Sequence, residues 1–305
     1  PLEKGEQVIR KSRYGTIDSF ISSCDWLKEE YNDSPLEINK DCYDRLKDAG
    51  IDELMTRHIA HLFIRDPLVV YSDLIEMDDA TSVHHFETIQ STNWHNVRFK
   101  PPSNPNTGWR VEFRPLEIQL TDFENAAFAI FVTLLSRAIL FFGLNLYIPI
   151  SKLDENMQRA HKRNAVRNEK FYWRTCNKRD GELAMAELTI KEIFCGSKET
   201  GCLGLVTIVE EYVKSIQLDD ETGNKIAEYI ALIKNRANGK LLTTAEYLRN
   251  FVNNHPLYKF DSNVSESIAR DIIDLVVGIA HGTVKVRPFF SFFFPFHYKK
   301  VWRSL

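Results

Sequence analysis

The sequence predicts an α+β fold in which helices dominate and a small antiparallel sheet lies in the first half. Three features carry this expectation. Strand-like alternation runs through GWRVEFRPLEIQLTDFENAAF (108–128), a second extended segment precedes it across the turn-rich stretch PPSNPNTG, and helical spacing of apolar residues marks most of the chain beyond residue 121.

If residues 109–117 are extended, side chains alternate between faces. Arg110, Glu112 and Arg114 then share one face, and Val111 and Phe113 take the other. Two readings stand at this point. Charge alternation describes a sheet with one solvated face. It also describes a site in which two guanidinium groups flank a carboxylate and hold a ligand of both signs, such as Mg²⁺ with phosphate oxygens. Arg offers phosphate a planar fork of donors, and Mg²⁺ takes one or two protein carboxylates and completes its shell from the nucleotide. Pro115 ends free strand pairing. Residues 89–100 read as the antiparallel partner, which brings Asn93, Arg98 and Lys100 toward the same face.

The strand runs into a firmly started helix. Thr121 and Glu124 have the T-x-x-E spacing of a capping box, and Phe123, Ala127, Ile130, Leu134, Ile139 and Phe142 carry the apolar content as far as Gly143. Residues 126–150 form the most apolar run. Arg137, Gly143 and Asn145 interrupt it, so the expectation is a buried core helix followed by a short strand rather than a membrane span.

Elsewhere, IDELMTRHIAHLFIR (51–65) has helical spacing and must stop near Asp66-Pro67. The segment 151–171 reads as a polar helix. Its basic residues His161, Lys162, Arg163 and Arg167 could meet a phosphate, although a solvated helix face is the favoured account. Residues 203–282 read as a set of helices, with a second capping box at Thr243 and Glu246 and a stop at Pro256. Ile268, Ile272, Leu275, Val276 and Ile279 form a packing face. The tail 284–305 differs from everything before it, with six Phe between Phe289 and Phe296.

Composition narrows the function classes. A formal charge of −3 and a pI near 6.4 give no overall pull toward nucleic acid or an anionic membrane, so a phosphate site must be local. Five cysteines (24, 42, 176, 195 and 202) lack C-x-x-C spacing and match neither a disulfide framework nor a zinc site, which points to a reducing, cytoplasmic compartment. The opening, PLEKGEQVIRKSRYG, has no secretory or transit pattern and begins with Pro, from which a piece of a longer product is expected. His84, His85 and Glu87 lack the i, i+4 histidine pair of a helical zinc protease, and Asp78-Asp79 reads as a solvated acidic turn. There is no Walker loop, no G-x-S-x-G and no dinucleotide fingerprint.

Four segments in order go further than any single motif. HLFIRDPL (61–68), FETIQSTNWHNVRFKPP (86–102), GWRVEFRPLEIQLTDFENAAF (108–128) and IPISKLDENMQRAHKR (148–163) together closely resemble the catalytic subunit of eukaryotic glutamate–cysteine ligase. A weaker likeness through LLTTAEYLRNFVNNHP extends the resemblance over roughly residues 4–282.

The resemblance implies a glutamine synthetase-like antiparallel sheet, present here in part, with strands within about 86–120 and helix from 121 onward; residues 284–305 do not match the family. It implies ATP-dependent joining of the γ-carboxyl of L-glutamate to L-cysteine through a γ-glutamyl phosphate, the first step of glutathione synthesis. Glu112 would be a carboxylate ligand of Mg²⁺ and Arg114 a contact to the transferring phosphoryl group. Arg110, Asn93, Trp94, Arg98 and Lys100 are assigned to the nucleotide side by their place in the same block. The family has an upstream portion that carries more metal-binding acids and much of the amino-acid pocket, so these 305 residues are expected to be inactive alone. The alternatives are a non-catalytic, partner-binding module and a related ATP-dependent carboxylate–amine ligase. Animal members pair with a modifier subunit, and Cys176 lies near where a disulfide to it would fall.

Overall fold

The computed structural model describes residues 19–65, 71–78, 80–85, 97–100, 102, 104, 106–179, 181 and 183–284. The α+β expectation holds: helices dominate, and strands are confined to two antiparallel hairpins among the described residues. The chain divides into two compact units, one drawn from Pro1–Leu116 and Leu146–His161, the other from Glu117–Asn145 and Lys162–Leu305.

In the first unit, α1 (Lys40–Asp48) and α2 (Glu53–Arg65) pack as a helical pair. Asn39 caps α1 by accepting from Cys42 N, and Asn39 N donates to the Ala60 carbonyl, tying the cap of one helix to the body of the other. His61 is buried and its Nδ1 lies 2.6 Å from the Glu37 carbonyl. Strands β1 (Val97–Lys100) and β2 (Arg110–Phe113) form the first hairpin. Helix α4 (Ile150–Ala160), later in the chain, also belongs to the first unit; Asp33 accepts from both the backbone N and the hydroxyl of Ser151 at its start.

The second unit is built around α3 (Asp122–Phe142), α7 (Leu205–Ser215) and α8 (Asp220–Ala237). Phe131 and Ala138 of α3 meet Val206 and Val209 of α7 and Ile230 and Ile233 of α8 in one apolar cluster. Helix α3 ends at Gly143, whose φ of 59° is left-handed, a conformation that favours glycine. It is long and apolar enough to cross a membrane by length and composition alone. Only a stripe of it is buried (Glu124, Ala127, Phe131 and Ala138), and Leu140, Phe141 and Phe142 are exposed, so it is a one-sided core helix rather than a fully enclosed one.

Two expectations are corrected. The chain is not purely helical after residue 121: after the short α5 (Ala165–Asn168), strands β3 (Lys170–Arg174) and β4 (Met185–Thr189) form a second hairpin. Strands of five residues offer too few alternations to stand out beside long helices, and Arg174 breaks the apolar pattern although it is buried. Its guanidinium donates to the Cys176 and Gly181 carbonyls and closes the intervening loop. Conversely, residues 144–149 form no strand; Asn145 is buried there and its N donates to the Asn177 carbonyl. After β4 come α6 (Ile190–Cys195), α9 (Thr244–Asn253) and α10 (Glu266–Ala280).

The deepest polar contact lies between α3 and α8. Glu124 is fully buried and accepts from Arg236 Nη2, and Thr121 Oγ1 donates to its other oxygen at 3.0 Å. Burial pushes the Glu124 carboxyl up and the Arg236 guanidinium down from their ordinary values, each against the pull of its partner. Truncating one member strands the other charge, so Glu124→Leu or Arg236→Met alone is expected to cost about 3–5 kcal/mol in denaturant unfolding, whereas the double variant should recover most of that loss.

Backbone packing is closest where α7 begins. A Cβ on Gly204 would lie 2.4 Å from Gly196 N and 2.6 Å from the Phe194 carbonyl, both main chain, whereas one on Gly223 in α8 would meet nothing within 4 Å. Gly204→Ala should therefore lower stability by about 1–3 kcal/mol, and Gly223→Ala should raise it by about 0.4–1 kcal/mol. Paired chemical melts of the two variants read both signs.

The start of α6 carries a reciprocal box in which Thr189 Oγ1 accepts from Glu192 N and Glu192 accepts from Thr189 N. These bonds hold the Glu192 carboxyl below its ordinary value. Its contribution is present above the unfolded value and lost as pH falls through the lower folded one. Glu192→Gln should accordingly flatten part of the acid limb of a stability–pH curve and leave the limb above pH 7 unchanged.

Candidate functional site

The first hairpin places the charged residues by register. Val97 pairs with Phe113, Arg98 with Glu112, Phe99 with Val111, and Lys100 with Arg110. Directly opposed residues in an antiparallel pair lie on the same face. Positions 98, 100, 110 and 112 therefore share one face, and 97, 99, 111 and 113 the other.

The centre of the charged face is the Glu112 carboxylate. Arg114 Nη2 lies 2.7 Å from Oε1, and Lys100 Nζ lies 3.1 Å from Oε2. Arg114 comes from the residue two beyond Glu112 along the chain. Lys100 reaches it diagonally across the hairpin, away from its directly opposed neighbour Arg110.

Exposure does not divide cleanly between the two faces. The Glu112 and Arg114 side chains are 31% and 30% exposed, whereas Val111 and Phe113 are 66% and 43% exposed. Arg110, on the charged side, is exposed, and the Lys100 side chain is 36% exposed.

The structure thus brings together Lys100, Glu112 and Arg114 and puts Arg110 in register beside them. Asn93 and Trp94 lie outside the described residues. For Arg98 the backbone register is described, opposite Glu112. The pairing of Lys100 with Glu112, rather than with a nucleotide, follows from the register, and a sequence with two strands of unknown offset does not show it.

Other candidates resolve into structural roles. Arg167 donates to Glu246 at 2.9 Å and to the Gly239 carbonyl at 3.1 Å, and Lys162 pairs with Glu169, so these two members of the basic stretch after α4 are engaged with the protein's own surface. Asp78 accepts from Ala80 N and the Thr81 hydroxyl, closing its own turn; Asp79 and Glu87 lie outside the described residues. His85 Nε2 faces the Leu74 carbonyl at 3.1 Å. Among the described residues no group of three or more His, Cys, Asp and Glu is arranged to hold a metal, and Cys24, Cys42, Cys176, Cys195 and Cys202 are free thiols.

A Mg²⁺ ion fits this donor set only as a shared ligand. Glu112 supplies one sheltered, reachable carboxylate whose two oxygens already bind cations, and Mg²⁺ with a bound nucleotide needs no more than one or two from protein. The flanking Arg and Lys then suit the phosphate oxygens that come with such an ion.

The family model described as glutamate-cysteine ligase matches residues 1–279. The glutamate–cysteine ligase of Schizosaccharomyces pombe is 49% identical over 288 residues, covering 92% of this chain and 43% of the relative. That of Dictyostelium discoideum is 46% identical, covering 93% and 46%. The glutamate–cysteine ligase catalytic subunit of Homo sapiens is 46% identical over 290 residues, covering 90% and 45%. The chain spans somewhat less than half the length of these relatives. A match over nearly the whole chain, together with these identities, shows that the chain belongs to the glutamate–cysteine ligase family.

Proposed function

We propose that this chain supplies the phosphoryl-transfer wall of an ATP-dependent ligase that joins the γ-carboxyl of L-glutamate to the amine of L-cysteine, the first step of glutathione synthesis. The observation that carries the reading is the half-buried Glu112 carboxylate held between Arg114 and Lys100 on the charged face of the first hairpin.

The chemistry divides into two steps. The glutamate γ-carboxylate attacks the terminal phosphorus of ATP, giving γ-glutamyl phosphate and ADP; the cysteine amine then attacks the acyl carbon and expels phosphate. Mg²⁺, when bound, would neutralise phosphate charge and align the transferring group. Glu112 would ligate it, and the Arg114 fork would bind equatorial oxygens of the phosphoryl group, where charge is spread in the transition state. Arg110, Arg98 and Lys100, with Asn93 and Trp94, are assigned to the nucleotide side of this wall. Catalysis by this chain's residues is positioning and charge neutralisation, without a covalent enzyme intermediate.

The same reading includes a glutamine synthetase-type sheet completed by segments that this chain does not contain, no turnover by these 305 residues alone, a cytoplasmic setting, and a modifier subunit as a partner near the loop of Cys176.

In the complete protein, Glu112→Gln and Arg114→Ala should each lower kcat by about 10²–10³, the usual cost of deleting one preorganised charge contact. Arg114→Lys should recover only part of the loss, because an ammonium cannot reproduce the planar fork. Variants that fold normally and keep kcat within about twofold of the parent would sink the assignment and favour a non-catalytic, partner-binding role for this hairpin. Replacing cysteine by γ-aminobutyrate or alanine in the same assay tests the related-ligase alternative.

A further inference from the structure

Arg114 and Lys100 do not contact Glu112 in equivalent ways. Arg114 is a near neighbour along the chain and lies 2.7 Å from its oxygen; Lys100 reaches over from the other strand to 3.1 Å. The register also sets Lys100 directly opposite Arg110, and like charges directly opposed across a hairpin repel. Lys100 therefore gains by leaning diagonally onto Glu112, away from Arg110.

This contact occupies an oxygen that a metal ion would need. An ion arriving alone must displace the ammonium and leave it beside a new double positive charge. An ion arriving with phosphate brings oxygens that can receive the displaced ammonium. The lysine is suited to this exchange because its charge is compact and its stem flexible, whereas the planar fork of Arg114 is bound to one geometry.

Resting on the assignment of Glu112 as a metal ligand, we propose that Lys100 is a positioning residue that closes the Glu112 carboxylate to free divalent metal and yields it to metal accompanied by phosphate. Lys100 thereby couples metal binding to nucleotide binding: its ammonium sits on Glu112 in the nucleotide-free protein and transfers to phosphate oxygens once nucleotide and metal are bound. No bond is made or broken covalently in this exchange.

The test is Mn²⁺ binding to the complete protein followed by electron paramagnetic resonance, with and without a non-hydrolysable ATP analogue. The component lost in Glu112→Gln defines the metal held by this carboxylate. In nucleotide-free Lys100→Met that component should bind about tenfold more tightly, the effect of deleting one nearby competing charge, and the enhancement of Mn²⁺ binding by the analogue should shrink by a similar factor. Lys100→Arg keeps the charge and should leave nucleotide-free Mn²⁺ affinity close to that of the parent, which separates electrostatic competition from loss of packing. If Lys100→Met leaves nucleotide-free Mn²⁺ affinity unchanged or weaker while Glu112→Gln removes its component, the coupling role is overturned and the metal assignment survives. If Glu112→Gln removes nothing, the metal assignment fails and the coupling role falls with it.

Discussion

The buried contact between Glu124 and Arg236 is the constraint on which the second unit rests. It joins the first turn of α3 to the last turn of α8, two helices that also share the apolar cluster around Phe131, Ile230 and Ile233. Burial opposes the charged form of each partner while the other's charge supports it. Such a pair adds little net stability over apolar side chains of the same volume. The contact ties the rotation and offset of α3 to those of α8. Around it, Asn125 accepts from Gln119 N and donates to the Gln119 and Thr121 carbonyls, and the Thr244 hydroxyl of α9 donates to Gln119 Oε1. The turn that leads into α3 is therefore fixed from three sides.

The capping signature shows how far local sequence carries structural information. T-x-x-E occurs at Thr121, Thr189, Thr207 and Thr243; at Thr121, Thr189 and Thr243 the hydroxyl accepts from the backbone N of the glutamate, whereas Thr207 lies inside α7, whose N-cap is Gly204. The motif thus marks three helix starts, and its place in the apolar pattern separates them from the fourth. The fates of the carboxylates differ: Glu192 returns to its own cap, Glu246 pairs with Arg167, and Glu124 is buried against Arg236. The last two outcomes depend on partners 79 and 112 residues away, and no local spacing encodes that.

The first hairpin is readable for a different reason. Strict alternation of charge and apolar residues over 110–114 identifies the strand and the shared face without any tertiary information. The register is not readable. Whether Lys100 meets Arg110 or Glu112 depends on a strand offset that the turn-rich connection leaves open, and a one-residue slip would reverse every face. The second hairpin is hidden in the sequence because its residues serve a buried arginine as well as a core. Phe171 and Leu188 are buried as a strand would predict, but Arg174, equally buried, reads in sequence as a solvent residue.

The charge balance of the first hairpin argues against a purely structural role. Lys100 and Arg114 both contact the Glu112 carboxylate, and the register sets Lys100 directly opposite Arg110. Partly exposed ion pairs stabilise a fold by about 0–1 kcal/mol, and opposed like charges cost a comparable amount, so folding gains almost nothing from this arrangement. An isolated two-stranded hairpin is itself marginal. A carboxylate held between a guanidinium and an ammonium is instead an arrangement that a polyanion with its divalent counter-ion would complete.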